Sequence, residues 1–184
     1  MHFIVLCSIA LEGHLPIIGL NHAVLYVRDA ELTAQFFIGV LDFTRVDDYA
    51  DFKGGAFLRA KGSTNDHDLA LFSIGPNAKD SAAGRLSVGL YHLAWEVDTL
   101  DDLEAYGQRL HAAGALVGAS DHGATRSLYA HDPDGLEFEV TWVVPAALIT
   151  AADSPKTAPL DIKRDIKRFG RDTIGGIGVS RPSI

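Results

Sequence analysis

The sequence predicts an α+β protein built from two tandem βαβββ modules. Three observations carry this reading. A strand-like segment recurs about 70 residues further along the chain. Each copy is followed by acidic residues and a helical pattern. Each helical pattern is then followed by three short strand-like runs separated by turn residues.

The repeated strand is Gly19-Leu20-Asn21-His22-Ala23-Val24-Leu25-Tyr26-Val27 in the first copy and Gly89-Leu90-Tyr91-His92-Leu93-Ala94-Trp95-Glu96-Val97 in the second. Gly, Leu, His and Val stand at matching places. The first helix is expected over Ala30 to Leu41, where Leu32, Phe36, Phe37 and Val40 fall at helical spacing and Asp29 supplies an N-cap. The second is expected over Leu100 to Ala113, with Leu103, Tyr106 and Leu110 on one stripe and Gly114 as the stop. Strand-like runs follow at Phe43 to Tyr49, Ala56 to Ala60 and Asp68 to Ile74. They recur at Ala115 to Ala119, Arg126 to Ala130 and Leu136 to Val143. Gly54-Gly55, Lys61-Gly62-Ser63 and Asp132-Pro133-Asp134-Gly135 mark turns between them.

These elements divide the chain into a leader (1–16), a first module (17–75), a linker (76–86), a second module (87–145) and a C-terminal tail (146–184). The leader contains an apolar run, Phe3 to Leu11, which no Lys or Arg precedes and which is too short to span a bilayer. The tail carries Pro155, Pro159 and a charged helix candidate over Asp161 to Arg168. It is expected to wrap the domain or a neighbour in an oligomer rather than to do chemistry.

Composition excludes several classes. The 184 residues carry a formal net charge of −8, so a phosphate backbone is repelled and nucleic acid is not an expected partner. Hydrophobic residues make up 47% and charged residues 22%, as in globular proteins that stay out of the membrane. Cys7 is the one cysteine, which excludes an intrachain disulfide and a Cys-based zinc site and fits a reducing, cytoplasmic compartment.

The chemistry-bearing residues follow from the repeat. His22 and His92 occupy equivalent points of apolar strands, where an unpaired imidazole costs stability. Two such histidines related by a pseudo-twofold would converge on its axis, and neutral imidazole is a common metal ligand. The last strand alternates, with Leu136, Phe138, Val140 and Trp142 on one face and Glu137, Glu139 and Thr141 on the other. A carboxylate from that polar face would complete a set of two histidines and one carboxylate, which suits non-haem Fe(II). The alternation also allows both glutamates to lie on a solvated face. Phe36, Phe52, Phe57 and Trp142 are read as core. His67 and Asp68 are read as a solvated turn, and His131 as exposed.

The stretch Ser127-Leu128-Tyr129-Ala130-His131-Asp132-Pro133-Asp134-Gly135-Leu136-Glu137-Phe138-Glu139 resembles the closing motif of the vicinal oxygen chelate superfamily. That group contains glyoxalase I, bleomycin-resistance proteins, fosfomycin-resistance enzymes and extradiol ring-cleaving dioxygenases. The His22 strand, its helix and Val40-Leu41-Asp42-Phe43 resemble the opening of that family's module, and the resemblance spans roughly residues 17 to 143. It implies a cupped mixed sheet around a metal site. Within the group the chain most resembles the extradiol dioxygenases, which implies His22, His92 and Glu139 as metal ligands. It implies Tyr129 as a hydrogen-bond partner of the substrate oxygen and His122 as an acid–base residue. The implied metal is Fe(II), with Mn, Ni or Zn as alternatives. The implied substrates are a small catechol-like aromatic diol and O₂, and a homo-oligomer is common in the group. The glyoxalase branch supplies a fourth ligand, a Glu on the last strand of the first module, where this chain has Ala70 among apolar neighbours. A lyase or isomerase of the same fold, or a non-catalytic small-molecule-binding protein of resistance type, are the other readings.

Overall fold

A computed structural model describes residues 17, 19–49, 51–84 and 86–176. The leader, with Cys7, His2 and His14, lies outside the described residues, as does the end of the tail from residue 177. The first module runs β1 (Ala23–Val27), α1 (Ala30–Leu41), β2 (Thr44–Arg45), β3 (Gly55–Arg59) and β4 (Leu69–Ser73). The second runs β5 (His92–Glu96), α2 (Leu100–Ala112), β6 (Leu116–Asp121), β7 (Thr125–His131) and β8 (Glu137–Val143). The tail adds β9 (Ala158–Pro159) and α3 (Ile162–Phe169). Among the described residues no helix is long and apolar enough to cross a membrane.

Local chemistry sets these boundaries. Asp29 accepts from the Glu31 and Leu32 amides and caps α1. Thr99 and Asp102 form a reciprocal capping box on α2. Gly114, with φ +67, ends the turn after α2. The long first run after α1 is cut short: β2 keeps two residues, and Asp47–Tyr49 turns into a 3-10 helix. Its two adjacent aspartates favour that turn over a ladder. The Asp132-Pro133-Asp134-Gly135 turn is held by one carboxylate oxygen of Asp132, which accepts from the Asp134 and Leu136 amides at 2.9 Å each. That turn delivers β8 in register beside β5.

The two modules have the same strand plan. In the first sheet the order is β1-β4-β3-β2, and in the second it is β5-β8-β7-β6-β9. In each, the first and last strands of the module pair in parallel and the others antiparallel. The mixed sheet expected from the sequence is thus present as two sheets of four and five strands, with β1 and β5 as facing edges. The helix side joins the modules. Phe37 lies 5.6 Å from Phe138, Phe43 lies 5.1 Å from Trp95, and the Arg109 guanidinium pairs with Asp42 at 2.6 Å. Phe138, Val140 and Trp142 are buried on this side, as the alternation of β8 predicts. The opposite sheet face is left to His92, Glu137 and Glu139.

Candidate metal centre

His92 opens β5, and the parallel register sets it beside Glu137 with Ala94 beside Glu139. The period of two along β8 places both carboxylates on one face. His92 Nε2 lies 3.0 Å from Glu139 Oε2. His92 Nδ1 lies 3.7 Å from Glu137 Oε1, too far for a hydrogen bond. Both of these last atoms are buried without a hydrogen-bond partner among the described residues. Imidazole nitrogen and carboxylate oxygen are both donor types that bind divalent cations, and here they are in direct contact beside two buried polar atoms without partners.

His22 does not join them. It is exposed, its Nδ1 donates to Asn21 Oδ1 at 2.6 Å, and its ring lies 4.5 Å from that of His67. Among the described residues there is no group of three or more His, Cys, Asp or Glu able to hold a metal ion. Within one chain His92 and Glu139 thus bring together two side chains of metal-binding type, and His22 does not join them as a third.

Strand direction is the reason. Arg28, just past the end of β1, bonds Asp134, just before β8. His22, just before the start of β1, lines a small cavity with Ala94 and Trp95 in the later half of β5. Since β8 is parallel to β5, β1 runs opposite to β5. Equivalent histidines at the starts of two opposed edge strands end up at opposite ends of the seam. The convergence expected from the repeat requires them near its middle. His67, read from sequence as part of a solvated turn, is instead 8% exposed, packed under His22 and bonded to Asp66 at 2.8 Å.

Two further residues stand beside the His92–Glu139 pair. Tyr129 on β7 is opposite Glu139 in the ladder, and its ring centre is 5.7 Å from that of His92. Its hydroxyl is 2.9 Å from His122 Nε2. Burial, followed by the nearby Glu139 charge, pushes the phenol above its ordinary pKa, so it stays protonated at neutral pH. His122 Nδ1 faces the Lys156 carbonyl at 3.2 Å. Lys156 lies in the tail, which sequence reasoning assigned to wrapping; no motif marks a residue that acts through its backbone oxygen. A cleft of about 530 Å³ opens between β1 and the β5–β8 edge, walled by Tyr26, Leu90, Tyr91, Trp95 and Glu137. Phe52, read as core, is 52% exposed.

The fold is thus one of paired βαβββ modules, with a His–Glu pair beside a Tyr–His pair on the second sheet. The model of the Glyoxalase/Bleomycin resistance protein/Dioxygenase superfamily matches residues 19–140, and the chain belongs to that superfamily. The chain is similar in structure to a glyoxylase/bleomycin resistance protein/dioxygenase domain from Frankia sp. EAN1pec, at TM-score 0.54 and 21% identity over 68% of this chain and 92% of that one. It is similar to a glyoxalase/dioxygenase from Nostoc punctiforme, at 0.52 and 20% over 73% and 96%. It is also similar to a mutant form of the fosfomycin resistance protein FosX of Listeria monocytogenes complexed with Mn(II) and 1S,2S-dihydroxypropylphosphonic acid, at 0.51 and 20% over 68% and 92%. No curated protein matches the chain in sequence.

Proposed function

We propose that this protein is an Fe(II)-dependent extradiol dioxygenase that opens a catechol-like aromatic diol with O₂. The observation that carries the reading is the His92–Glu139 donor pair standing beside the Tyr129–His122 hydrogen-bonded pair. His92 and Glu139 would hold the metal, with a histidine equivalent to His22 as third ligand. Ferrous iron, when bound, supplies the electron transfer that lets a catecholate and O₂ combine. Everything else is done by side chains. His122 Nε2 accepts the proton of a diol hydroxyl and returns it later. With a diol bound, the Tyr129 hydroxyl, which faces His122 Nε2 at 2.9 Å in the free protein, would turn to donate to the substrate oxygen as negative charge develops there.

Ala70 supports this reading over a four-ligand lyase. It lies on β4, is 1% exposed and carries no donor where the glyoxalase branch has a carboxylate. A reducing cytoplasmic compartment would keep the iron ferrous. The third ligand would come from a second copy of the chain, whose exposed His22 edge would face this His92–Glu139 pair. Exposed Val24, Tyr26, Leu86, Val88 and Leu90 supply an apolar surface for that contact.

The test is metal analysis of protein purified without oxygen, followed by catechol and air. Iron with O₂ uptake and a yellow ring-opened product is expected. Zinc or nickel with no O₂ uptake would replace the dioxygenase with a lyase or isomerase, and a metal-free active fold would leave a binding protein.

A further inference from the structure

We propose that the C-terminal tail is a positioning element for His122, and that the Lys156 carbonyl decides which ring nitrogen carries the proton. The inference rests on the acid–base role given to His122 above and goes beyond it, because the superfamily match ends at residue 140 and the tail lies outside it.

The chemistry begins with an oxygen that can only accept. The Lys156 carbonyl lies 3.2 Å from His122 Nδ1, with Thr157 Oγ1 a looser neighbour at 3.4 Å. A carbonyl at that place favours Nδ1–H, and the Thr157 hydroxyl can serve either tautomer. In the neutral ring the lone pair then sits on Nε2, which faces the Tyr129 hydroxyl at 2.9 Å. The hydroxyl donates to it. Had Nε2 carried the proton, Nδ1 would face the carbonyl lone pair to lone pair, and Nε2 could no longer take a proton from substrate. The proton-accepting nitrogen is therefore turned toward the His92–Glu139 side by a backbone atom 34 residues further along the chain.

The tail is built to hold that carbonyl in place. β9 pairs with the end of β6, Ala158 opposite Asp121, which is the residue before His122. The Lys156 ammonium reaches Asp121 Oδ2 at 3.2 Å and the Ala152 carbonyl at 3.2 Å, closing the loop on both sides. Asp121 is 1% exposed and also meets Arg126 and Arg164, at 3.0 Å each. Gly123 has φ +87, and a Cβ there would strike the carbonyl oxygens of Asp153 and Ser154. The turn after His122 and the tail thus touch backbone to backbone, with no room for a side chain between them. Lys156 is a positioning residue: it acts through His122 and touches neither substrate nor metal.

The experiment is nitrogen-15 NMR of the His122 ring in metal-free, full-length protein. The wild type is expected to show the Nδ1–H tautomer. Lys156→Ala should shift the ring toward Nε2–H and, in the iron-loaded enzyme, lower kcat by about 10- to 100-fold with KM nearly unchanged. Lys156→Arg, which keeps a cation for Asp121, should restore both. An Nε2–H ring in the wild type, or a tautomer unmoved in Lys156→Ala, overturns the proposal. The tautomer is read without metal or turnover, so it decides the tail's role even if His122→Phe keeps normal activity and removes the acid–base reading.

Discussion

The His92 ring is held between two carboxylates with unequal claims. Glu139 is at 3.0 Å from Nε2 and Glu137 at 3.7 Å from Nδ1. Only the first is placed to share a cation with the ring. Ala at His92 or at Glu139 is therefore expected to abolish stoichiometric metal binding with the fold intact by circular dichroism. Glu137→Ala should retain the metal, and equal losses in all three would remove the distinction between the glutamates. Tyr129 and His122 call for a different measurement. A group that moves a proton without holding the metal contributes ~10²–10⁴-fold in rate. His122→Phe should keep iron and diol binding and lose turnover by that order, with Tyr129→Phe losing less. Wild-type kcat in His122→Phe would take it out of the mechanism.

At the scale of elements, α3 and the turns before it are fastened to the second sheet by charge. Arg126 on β7 is 1% exposed and bonds Asp165 of α3 at 2.6 Å, Asp121 at 3.0 Å and the Gly123 carbonyl at 2.5 Å. Removing one partner of a buried ion pair leaves the others uncompensated, which costs about 3–5 kcal/mol. Arg126→Ala is expected to lose stability of that order in urea, and a loss near zero would mean the cluster is solvated. A second pair, Arg168 with Asp153 at 2.6 and 2.7 Å, gives the tail an acid limit. The hydrogen bonds from Arg168, against the cost of burial, hold the Asp153 carboxyl well below the usual carboxylate range. A carboxyl depressed in the folded state contributes its stability above its unfolded pKa of about 3.9 and loses it as pH falls further. The protection of α3 against hydrogen exchange, corrected for the intrinsic pH dependence of amide exchange, should thus be flat from neutral pH to about pH 4 and fall below it. Arg168→Met should weaken protection already at neutral pH and flatten the acid response.

For the whole molecule, the arrangement of the modules matters more than either module. Their helix sides share a core, while β1 and β5 meet as opposed edges without a ladder among the described residues. His22 is thereby kept from the His92–Glu139 pair within one chain. If a second copy supplies it, two broken variants should repair each other. A mixture of His22→Ala and His92→Ala subunits, unfolded and refolded together, is expected to regain metal binding that neither has alone. A chain that is monomeric by sedimentation, or a mixture that stays metal-free, would rule this out.

The 70-residue recurrence of a histidine-bearing strand and the switch from strand to helical period were enough to place both helices and most of the strands. Alternation along residues 136 to 142 was enough to separate Trp142, which is fully buried, from the Glu137–Glu139 face. These are local or periodic properties, and side-chain periodicity is a direct readout of which face meets the core. The placing of His22, His67 and Lys156 was not legible in this way. Whether two equivalent strands bring their histidines together depends on the direction in which their edges meet, which no single strand encodes. Burial of His67 depends on aromatic neighbours such as Phe57, drawn from β3. The part played by Lys156 rests on a carbonyl oxygen, which every residue has; only the tertiary structure, by running the tail back along β6, brings that one to His122.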